Sequence, residues 1–254
     1  MKPFEGAIFD IDGVLEYQGR VYPGAVETLD ALRERGVTLR FLTNSTLKSR
    51  RSCAEKLRLK GFTISPEEVI TASSATARYL RELKPRSCWV MLEREGLEEF
   101  EDLLRDDQNP EYVVIGDNRS RFDFEHLNHA LRLLRRGARL VGMQAELVDA
   151  GMGELELNVG SWAGMLERAS GTPAVYIGKP NPYVFELALE TMGLEGNQVL
   201  VVGDRIETDV LGARRSGLRS ALVKTGEFSP RDLDGELLPD YLCDSINDLL
   251  SLFL

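Results

Sequence analysis

The chain has 254 residues and 43% hydrophobic side chains, which is enough for one large domain or two small ones with a sizeable core. Its net charge of -10 at pH 7 argues against nucleic acid and anionic membranes as partners, because both attract lysine and arginine. No apolar run approaches the roughly 18 residues of a membrane span and no signal-peptide core opens the chain, so a cytoplasmic location is expected.

Strands and helices alternate in the first part of the chain. Short apolar runs rich in β-branched residues predict strands at residues 7–9 and 37–42. Apolar residues at helical spacing predict helices at residues 25–35 and 47–60.

The middle of the chain has its own alternation. Residues 89–92, 112–115 and 139–141 are predicted strands, and residues 98–104 and 124–135 are predicted helices. Since no linker rich in Pro, Gly or Ser sets this region apart, the pattern leaves open either one long sheet or a core with an inserted domain.

The last part of the chain repeats the pattern, with predicted strands at 174–177, 199–202 and 220–223 and predicted helices at 182–192 and 208–216. Alternation of this kind predicts an α/β fold with a parallel sheet covered on both faces. The strands show little polar alternation, which fits burial on both sides.

Four of the predicted strands are followed by polar residues of unusual type. These residues are Asp10-Ile11-Asp12-Gly13, Thr43-Asn44-Ser45, Gly178-Lys179-Pro180, and Gly203-Asp204 with Asp209 close behind. Sites in open parallel sheets form beyond the carboxyl ends of the strands, so all four groups are expected along one edge.

The carboxylates at this edge indicate a metal ion. Those expected to meet there are Asp10, Asp12, Asp204 and Asp209. Without a cation they would repel one another and favour protonation. Oxygen ligands at strand ends suit Mg2+, which often also contacts a substrate phosphate, so Mg2+ is the predicted cofactor and Mn2+ is left open.

The same edge offers positive charge and hydrogen-bond donors for a phosphate. Lys179 adds a compact ammonium group. Thr43, Asn44 and Ser45 add hydroxyl, amide and backbone donors at the predicted N-terminus of a helix, which is a common anion site.

Asp10 and Asp12 are two residues apart and would point to the same side of an extended chain. One carboxylate can attack phosphorus and form an aspartyl-phosphate. The other can protonate the leaving oxygen and then activate water, and Asp12 fits this second role. Gly13 lets the chain turn sharply after the strand.

In their order along the chain, these four segments resemble the motifs of the haloacid dehalogenase (HAD) superfamily of phosphatases, over nearly the whole sequence. The resemblance implies that Asp10 is the nucleophile and Asp12 the acid and base. It also implies that Thr43 and Asn44 hold the phosphoryl oxygens, and that Lys179 steadies the nucleophile and the phosphate.

The resemblance also implies a set of metal ligands. The Asp10 side chain, the Asp12 backbone carbonyl and Asp204 would bind Mg2+, with Asp209 near this set of ligands or just outside it.

Residues 21–25 and the long gap between the second and third segments resemble the HAD branch with a large α/β cap. That branch includes nitrophenylphosphatase-like, pyridoxal-phosphatase-like and phospholysine-phosphohistidine-pyrophosphatase-like proteins. The resemblance implies a Rossmann-like, doubly wound parallel sheet in a core of residues 1–75 and 174–254. Residues 76–173 would be an inserted α/β cap domain that favours small substrates.

Residues 143–160 of this cap are expected to sort substrates, and Gly142, Gly151 and Gly153 suit a mobile segment there. Many members of the branch carry Asn-Pro-Asp where this chain has Met143-Gln144-Ala145.

The predicted function is Mg2+-dependent hydrolysis of phosphate monoesters of small metabolites, with neither nucleic acid nor a membrane as partner and a homodimer left open. A phosphatase acting on phosphoamino acids or pyrophosphate is the alternative, and a mutase would also keep Asp12. A dehalogenase does not need Asp12. From a different class, a signalling receiver phosphorylated on aspartate needs that residue on a middle strand, and residues 39–42 supply none.

Overall fold

The computed structural model describes residues 4–149 and 154–253. The chain divides into two compact units, named here the core unit and the inserted unit. The core unit consists of Met1–Thr43, Cys53–Ile70 and Lys179–Leu254, and the inserted unit consists of Asn44–Ser52 and Thr71–Gly178.

Strands and helices alternate along the described chain. The strands are β1 Gly6–Phe9, β2 Glu16–Tyr17, β3 Arg20–Val21, β4 Thr38–Thr43, β5 Val69–Thr71, β6 Cys88–Met91, β7 Tyr112–Ile115, β8 Arg139–Gly142, β9 Val148–Asp149, β10 Glu156–Leu157, β11 Ala174–Tyr176, β12 Val199–Gly203, β13 Arg219–Val223 and β14 Tyr241–Cys243. The α-helices are α1 Ala25–Glu34, α2 Arg50–Arg58, α3 Ala72–Leu83, α4 Phe124–Arg135, α5 Val159–Ser170, α6 Pro182–Met192 and α7 Leu211–Arg215. Short 3₁₀ helices lie at Pro66–Glu68, Arg94–Phe100, Gly196–Gln198, Pro230–Leu233 and Ile246–Phe253, and a π-helical turn lies at Ile206–Val210. Within the described chain, none of these helices is long and apolar enough to cross a membrane.

The core unit is built on one sheet, in which six described strands lie in the order β14-β13-β12-β1-β4-β5. The pairs β1–β4, β1–β12, β12–β13 and β13–β14 are parallel. The chain runs from β1 to β4 and β5 on one side and later returns on the other side with β12. The strand order therefore reverses between β1 and β12.

Helices cover both faces of this sheet. Alternate residues of each strand point to the same face, and on one face Phe9 packs in a common core with Leu29 of α1 and Leu57 of α2. On the other face, Gly6 lies against the end of α6, where any side chain would overlap Met192. The core unit is therefore a Rossmann-like, doubly wound α/β fold, as the sequence predicts.

The inserted unit has a parallel sheet and a core of its own. Four described strands pair in the order β11-β8-β7-β6. Leu133 and Leu134 of α4, Ala163 and Leu166 of α5, and Val113 of β7 share one buried core. The strands β9 and β10 form a small antiparallel pair. The predicted fold class, an α/β core with an inserted α/β unit, is confirmed.

Most predicted elements are confirmed, and α4, α6 and β7 have the predicted bounds. Two predictions are wrong. Residues 98–104 form no α-helix, because the 3₁₀ helix ends at Phe100. The strand predicted at 174–177 is β11, which pairs with β8 in the inserted unit and does not join the core sheet. The pattern also misses β5, α3, α5 and β14; α3 opens with small residues that give no hydrophobic period.

Leu57 and Leu59 provide a matched test of this packing, because Leu57 is 1% exposed and Leu59 is 90% exposed. We expect Leu57→Ala to lower the free energy of unfolding by about 2–5 kcal/mol, since apolar contacts are lost and a cavity remains. Leu59→Ala should change it by less than about 0.5 kcal/mol. Urea unfolding followed by circular dichroism measures both values, and equal effects would contradict the described core.

Candidate active site

The candidate site begins where the strand order of the core sheet reverses. Asp10 follows β1 and Asp204 follows β12, and these two strands are neighbours. The backbone N–H of Asp10 still donates to the carbonyl of Val202, at 2.8 Å, so the pairing continues to the strand ends. Ligand sites of open parallel sheets lie in the crevice at such a reversal, so the topology explains why the two side chains meet.

Three buried carboxylates gather at this point. In the part of the chain that the structure describes, side-chain oxygens of Asp10, Asp204 and Asp209 lie within 4.8 Å of one another. Asp209 lies on the π-helical turn after β12, where the Thr208 hydroxyl donates to its Oδ2 at 3.2 Å. The Asp209 carboxyl packs directly against Gly203, where a Cβ would overlap it. The site therefore depends on a glycine at the end of β12.

One buried ammonium group joins two of these carboxylates. Lys179 Nζ lies 2.8 Å from Asp10 Oδ1 and 2.8 Å from Asp209 Oδ1, and the lysine is 2% exposed. The sequence predicts Lys179 at the end of a core strand. Instead, β11 ends at Tyr176 in the inserted unit, and Lys179 opens the last segment of the core unit.

Burial and charge shift the pKa values of these groups. Burial raises the pKa of the Asp10 carboxyl well above its usual range despite Lys179, and the Asp209 and Asp204 carboxylates raise it further. Burial, with the nearby Asp209 carboxylate, raises the pKa of Asp204 to about 7. Burial alone would lower the pKa of Lys179, but Asp10 and Asp209 raise it above its usual value. Three carboxylates facing one ammonium group leave an excess of negative charge.

These donors fit a divalent cation. Asp204 Oδ2 accepts a hydrogen bond from the backbone N–H of Glu227 at 2.7 Å, whereas its Oδ1 is buried with no hydrogen-bond partner among the described residues. Burying an unpaired charged oxygen is costly, and a cation beside it would offset both this cost and the excess charge. Hard oxygen ligands of this kind suit Mg2+, and Asp10, Asp204 and Asp209 are the residues that could hold it.

Asp12 does not join the buried carboxylates. It is exposed, because β1 ends at Phe9 and the chain then forms a turn. In this turn the N–H of Leu15 donates to the Ile11 carbonyl at 2.9 Å. The alternation rule for extended strands therefore does not apply to Asp10 and Asp12. Of the four side chains expected to meet, the structure brings three together; the metal-binding role of the Asp12 carbonyl stays a prediction.

Thr43 closes β4 beside β1 and is buried, and Asn44 and Ser45 follow it as half-buried residues of the inserted unit. The prediction that these three residues stand at a helix N-terminus is wrong. Helix α2 begins several residues later, and the Ser49 hydroxyl caps it by accepting a hydrogen bond from the Ser52 N–H at 3.1 Å. Any anion binding at residues 43–45 must therefore rely on their own donors.

Sequence reasoning misses the residues 225–227, named here the β13 loop. The Thr225 hydroxyl donates to the Gly13 carbonyl at 2.6 Å, and the Glu227 N–H donates to Asp204. The loop therefore contacts two of the four predicted segments. A signal is present in the sequence, since this loop also follows an apolar strand of the same sheet.

The stretch expected to sort substrates is partly described. Met143 and Gln144 are buried, and the Gln144 amide donates to Asn158 Oδ1 at 2.6 Å. Gln144 therefore links this turn to the N-terminus of α5, and the substrate-sorting role of residues 143–160 stays a prediction. Gly151 and Gly153 lie outside the described residues.

Two family models match this chain. A model described as haloacid dehalogenase-like hydrolase matches residues 7–104, and a HAD-hydrolase-like model matches residues 176–249. A dihydroxyacetone phosphatase from Corynebacterium glutamicum (strain R) is 32% identical over 245 residues, which cover 94% of this chain and 88% of that protein. The chain belongs to the haloacid dehalogenase-like hydrolases. The first matched region of this hydrolase contains Asp10, and the second contains Lys179 and Asp204.

Other relatives of this HAD hydrolase also carry phosphatase names. The phospholysine phosphohistidine inorganic pyrophosphate phosphatase of Homo sapiens is 34% identical over 260 residues, covering 97% of this chain and 91% of that protein. A solved structure, the p-nitrophenyl phosphatase from Archaeoglobus fulgidus, matches with a TM-score of 0.91 at 32% identity and covers 98% of this chain and 99% of that one. This HAD hydrolase is therefore a phosphatase.

Gly203→Ala tests the close packing at the end of β12. The added Cβ would overlap the Asp209 carboxyl, which Lys179 holds in place, so the ion pair must shift. We expect the free energy of unfolding to fall by about 1–3 kcal/mol and most of the turnover of p-nitrophenyl phosphate to be lost. Gly235→Ala is the control, because a Cβ there meets no atom within 4 Å. If both variants kept wild-type activity, the described packing would be contradicted.

Proposed function

We propose that this phosphatase hydrolyses phosphate monoesters of small metabolites through an aspartyl-phosphate on Asp10, with Mg2+ as its cofactor. The observation that carries the proposal is the buried Asp10 carboxylate, whose Oδ1 is held by Lys179 and by the N–H of Ile11 at 2.7 Å. With Oδ1 held in this way, Oδ2 is the atom that attacks phosphorus. Carboxylates are established nucleophiles in phosphoryl transfer.

The proposed reaction has two steps. In the first, Asp10 Oδ2 bonds to phosphorus while the bond to the leaving oxygen breaks, and Asp12 gives that oxygen a proton. In the second, Asp12 takes a proton from water as the water oxygen attacks phosphorus, which releases phosphate and restores the Asp10 carboxylate. The exposure of Asp12 supports this role, because water and the leaving oxygen of a substrate can reach its carboxyl.

The proposed metal ligands are the side chains of Asp10, Asp204 and Asp209 with the backbone carbonyl of Asp12. The unpartnered Asp204 Oδ1 and the charge excess among the described groups support this assignment. Bound Mg2+ would neutralise negative charge on the phosphoryl oxygens as it builds up.

Four residues are proposed to bind the phosphoryl group: Thr43, Asn44, Ser45 and Lys179. The position of Thr43 at the end of β4, the neighbour of β1, supports its share of this role. Lys179 is supported by its 2.8 Å contact with Asp10 Oδ1, since a cation that touches the nucleophile can also attract the phosphate.

We propose residues 76–173 as a cap domain that restricts access to small substrates, and residues 1–75 and 174–254 as the hydrolase core. The compact inserted unit supports this division; its longer segment runs slightly beyond these bounds, from Thr71 to Gly178. It has its own buried core, as a folded cap requires. A cap that excludes water strengthens the electrostatic interactions of a site beneath it.

Hydrolysis of phosphoamino acids or pyrophosphate is the second candidate. The phospholysine phosphohistidine inorganic pyrophosphate phosphatase favours it, because at 34% identity it is as similar to this chain as the dihydroxyacetone phosphatase at 32%. The same nucleophile could attack phosphorus in either class. Values of kcat/KM for a panel of small monoesters, phospholysine, phosphohistidine and pyrophosphate separate the two.

A cytoplasmic location and a homodimer stay predictions.

Asp10→Asn should lower turnover by more than roughly a thousandfold while the protein stays folded, because the amide is a poor nucleophile of equal size. Asp12→Asn should also lose turnover. After incubation with p-nitrophenyl phosphate, whose leaving group needs no proton, this variant should keep a phosphoryl adduct on Asp10, because water is no longer activated. Mass spectrometry detects the adduct. Asp30→Asn, at an exposed position of α1, is the control. Asp10→Asn turnover within roughly tenfold of the wild type would contradict the nucleophile assignment.

Mg2+ should raise the melting temperature of the wild type, because binding to the folded state adds about 2.7 kcal/mol at a hundred times Kd. Asp204→Asn should raise the melting temperature of the metal-free protein, since one buried negative charge is removed. The same variant should lose the Mg2+-induced shift. Thermal unfolding in EDTA and in MgCl2 measures both, with Asp30→Asn as control. A wild type that melts at the same temperature in both buffers would refute the metal site.

A further inference from the structure

Gly13 forms the turn after Asp12, and its peptide groups are held on both sides. Its N–H donates to the Glu16 carbonyl at 2.7 Å, and its carbonyl accepts a hydrogen bond from the Thr225 hydroxyl at 2.6 Å. Its φ of 90° is a left-handed conformation that glycine adopts without strain. Without these hydrogen bonds the peptide planes around Gly13 could rotate, and Asp12 would move with them.

The backbone of the β13 loop, which carries Thr225, is held in place by two hydrogen bonds. The Gly226 N–H donates to the Tyr22 hydroxyl at 2.8 Å, and the Glu227 N–H donates to Asp204 Oδ2 at 2.7 Å. At Gly226, whose φ is 64°, a Cβ would overlap the Asp204 carboxyl. The loop backbone is therefore packed directly against the carboxylate site. From this loop, the Thr225 side chain reaches the turn at Gly13.

We propose that Thr225 is a positioning residue for Asp12 and acts through the Gly13 carbonyl. The inference rests on the proposed function, in which Asp12 protonates the leaving oxygen. Asp12 is exposed and lies outside the buried carboxylate group, so side-chain packing does not hold it as it holds Asp10. Its direction comes from the backbone, and the Thr225 hydrogen bond fixes that backbone.

This role has a consequence for substrate chemistry. An alkyl phosphate has a poor leaving group and needs a proton from Asp12, whereas p-nitrophenolate leaves readily without one. The ratio kcat/KM reports only the steps that lead to the aspartyl-phosphate. Protonation of the leaving oxygen belongs to these steps. Loss of the Thr225 hydroxyl should therefore lower kcat/KM for alkyl phosphates more than for p-nitrophenyl phosphate. A general loosening of the site would lower both alike.

The test compares Thr225→Val, which keeps the shape and loses the hydroxyl, with Thr225→Ser, which keeps the hydroxyl. For the alkyl phosphate that the wild type hydrolyses fastest, we expect kcat/KM to fall roughly 10–100-fold in Thr225→Val and less than about threefold in Thr225→Ser. For p-nitrophenyl phosphate the loss in Thr225→Val should be several times smaller. Thr191→Val is the matched control and should keep the wild-type kcat/KM for both substrates. It removes a threonine hydroxyl elsewhere in the core unit, which donates to the Ala188 carbonyl at 2.9 Å and accepts from Arg40 Nε at 2.9 Å.

Wild-type kcat/KM of Thr225→Val for both substrates would overturn the inference, and so would an equal loss for both. The proposed function would still stand in either case if Asp10→Asn is inactive. Full activity of Asp10→Asn would overturn the proposed function and this inference together. Circular dichroism shows whether Thr225→Val is folded. If it is not, Thr225→Ala, which also lacks the hydroxyl and has a smaller side chain, takes its place in the comparison of the two substrates.

Discussion

Lys179 lies between Asp10 and Asp209, 2.8 Å from an oxygen of each, and the rest of the candidate site depends on this buried contact. Charges taken out of water destabilise a protein unless they are paired. The ammonium group pairs with two of the three carboxylates, so the excess negative charge of the site remains beside Asp204. A metal ion at that position would complete the pairing and offset the cost of burying three carboxylates together.

Three glycines leave the space that the clustered carboxylates need. A Cβ at Gly13 or Gly226 would overlap the Asp204 carboxyl, and a Cβ at Gly203 would overlap that of Asp209. Each of these glycines lies beside a polar residue that follows a core strand. The glycines therefore let the backbone approach the carboxylates closely, and next to Gly226 the Glu227 N–H donates to Asp204 Oδ2.

The sequence predicts that Asp10 and Asp204 meet, because that inference needs only the strand positions and a parallel sheet. It does not predict that Asp12 is exposed, since this depends on β1 ending one residue before Asp10. Nor does it predict the Thr225 contact, because the hydrogen bond to Gly13 joins residues 212 positions apart and no local pattern encodes it. The fold class is more secure, because alternation along the whole chain determines it and the missed elements β5 and α3 do not change it.

The position of Lys179 is determined by the helix that follows it and not by the strand that precedes it. β11 pairs with β8 in the inserted unit, yet Lys179 contacts Asp10 in the core unit. Helix α6 begins at Pro182, is capped by the Asn181 side chain, which accepts a hydrogen bond from the Tyr183 N–H at 3.0 Å, and packs against β4 and β1. The residues just before α6 are therefore fixed to the core sheet whatever strand comes earlier. A lysine a few residues ahead of a packed helix can thus reach a strand-end site without a core strand of its own, which is why Lys179 lies beside Asp10 and Asp209 although the strand assignment is wrong.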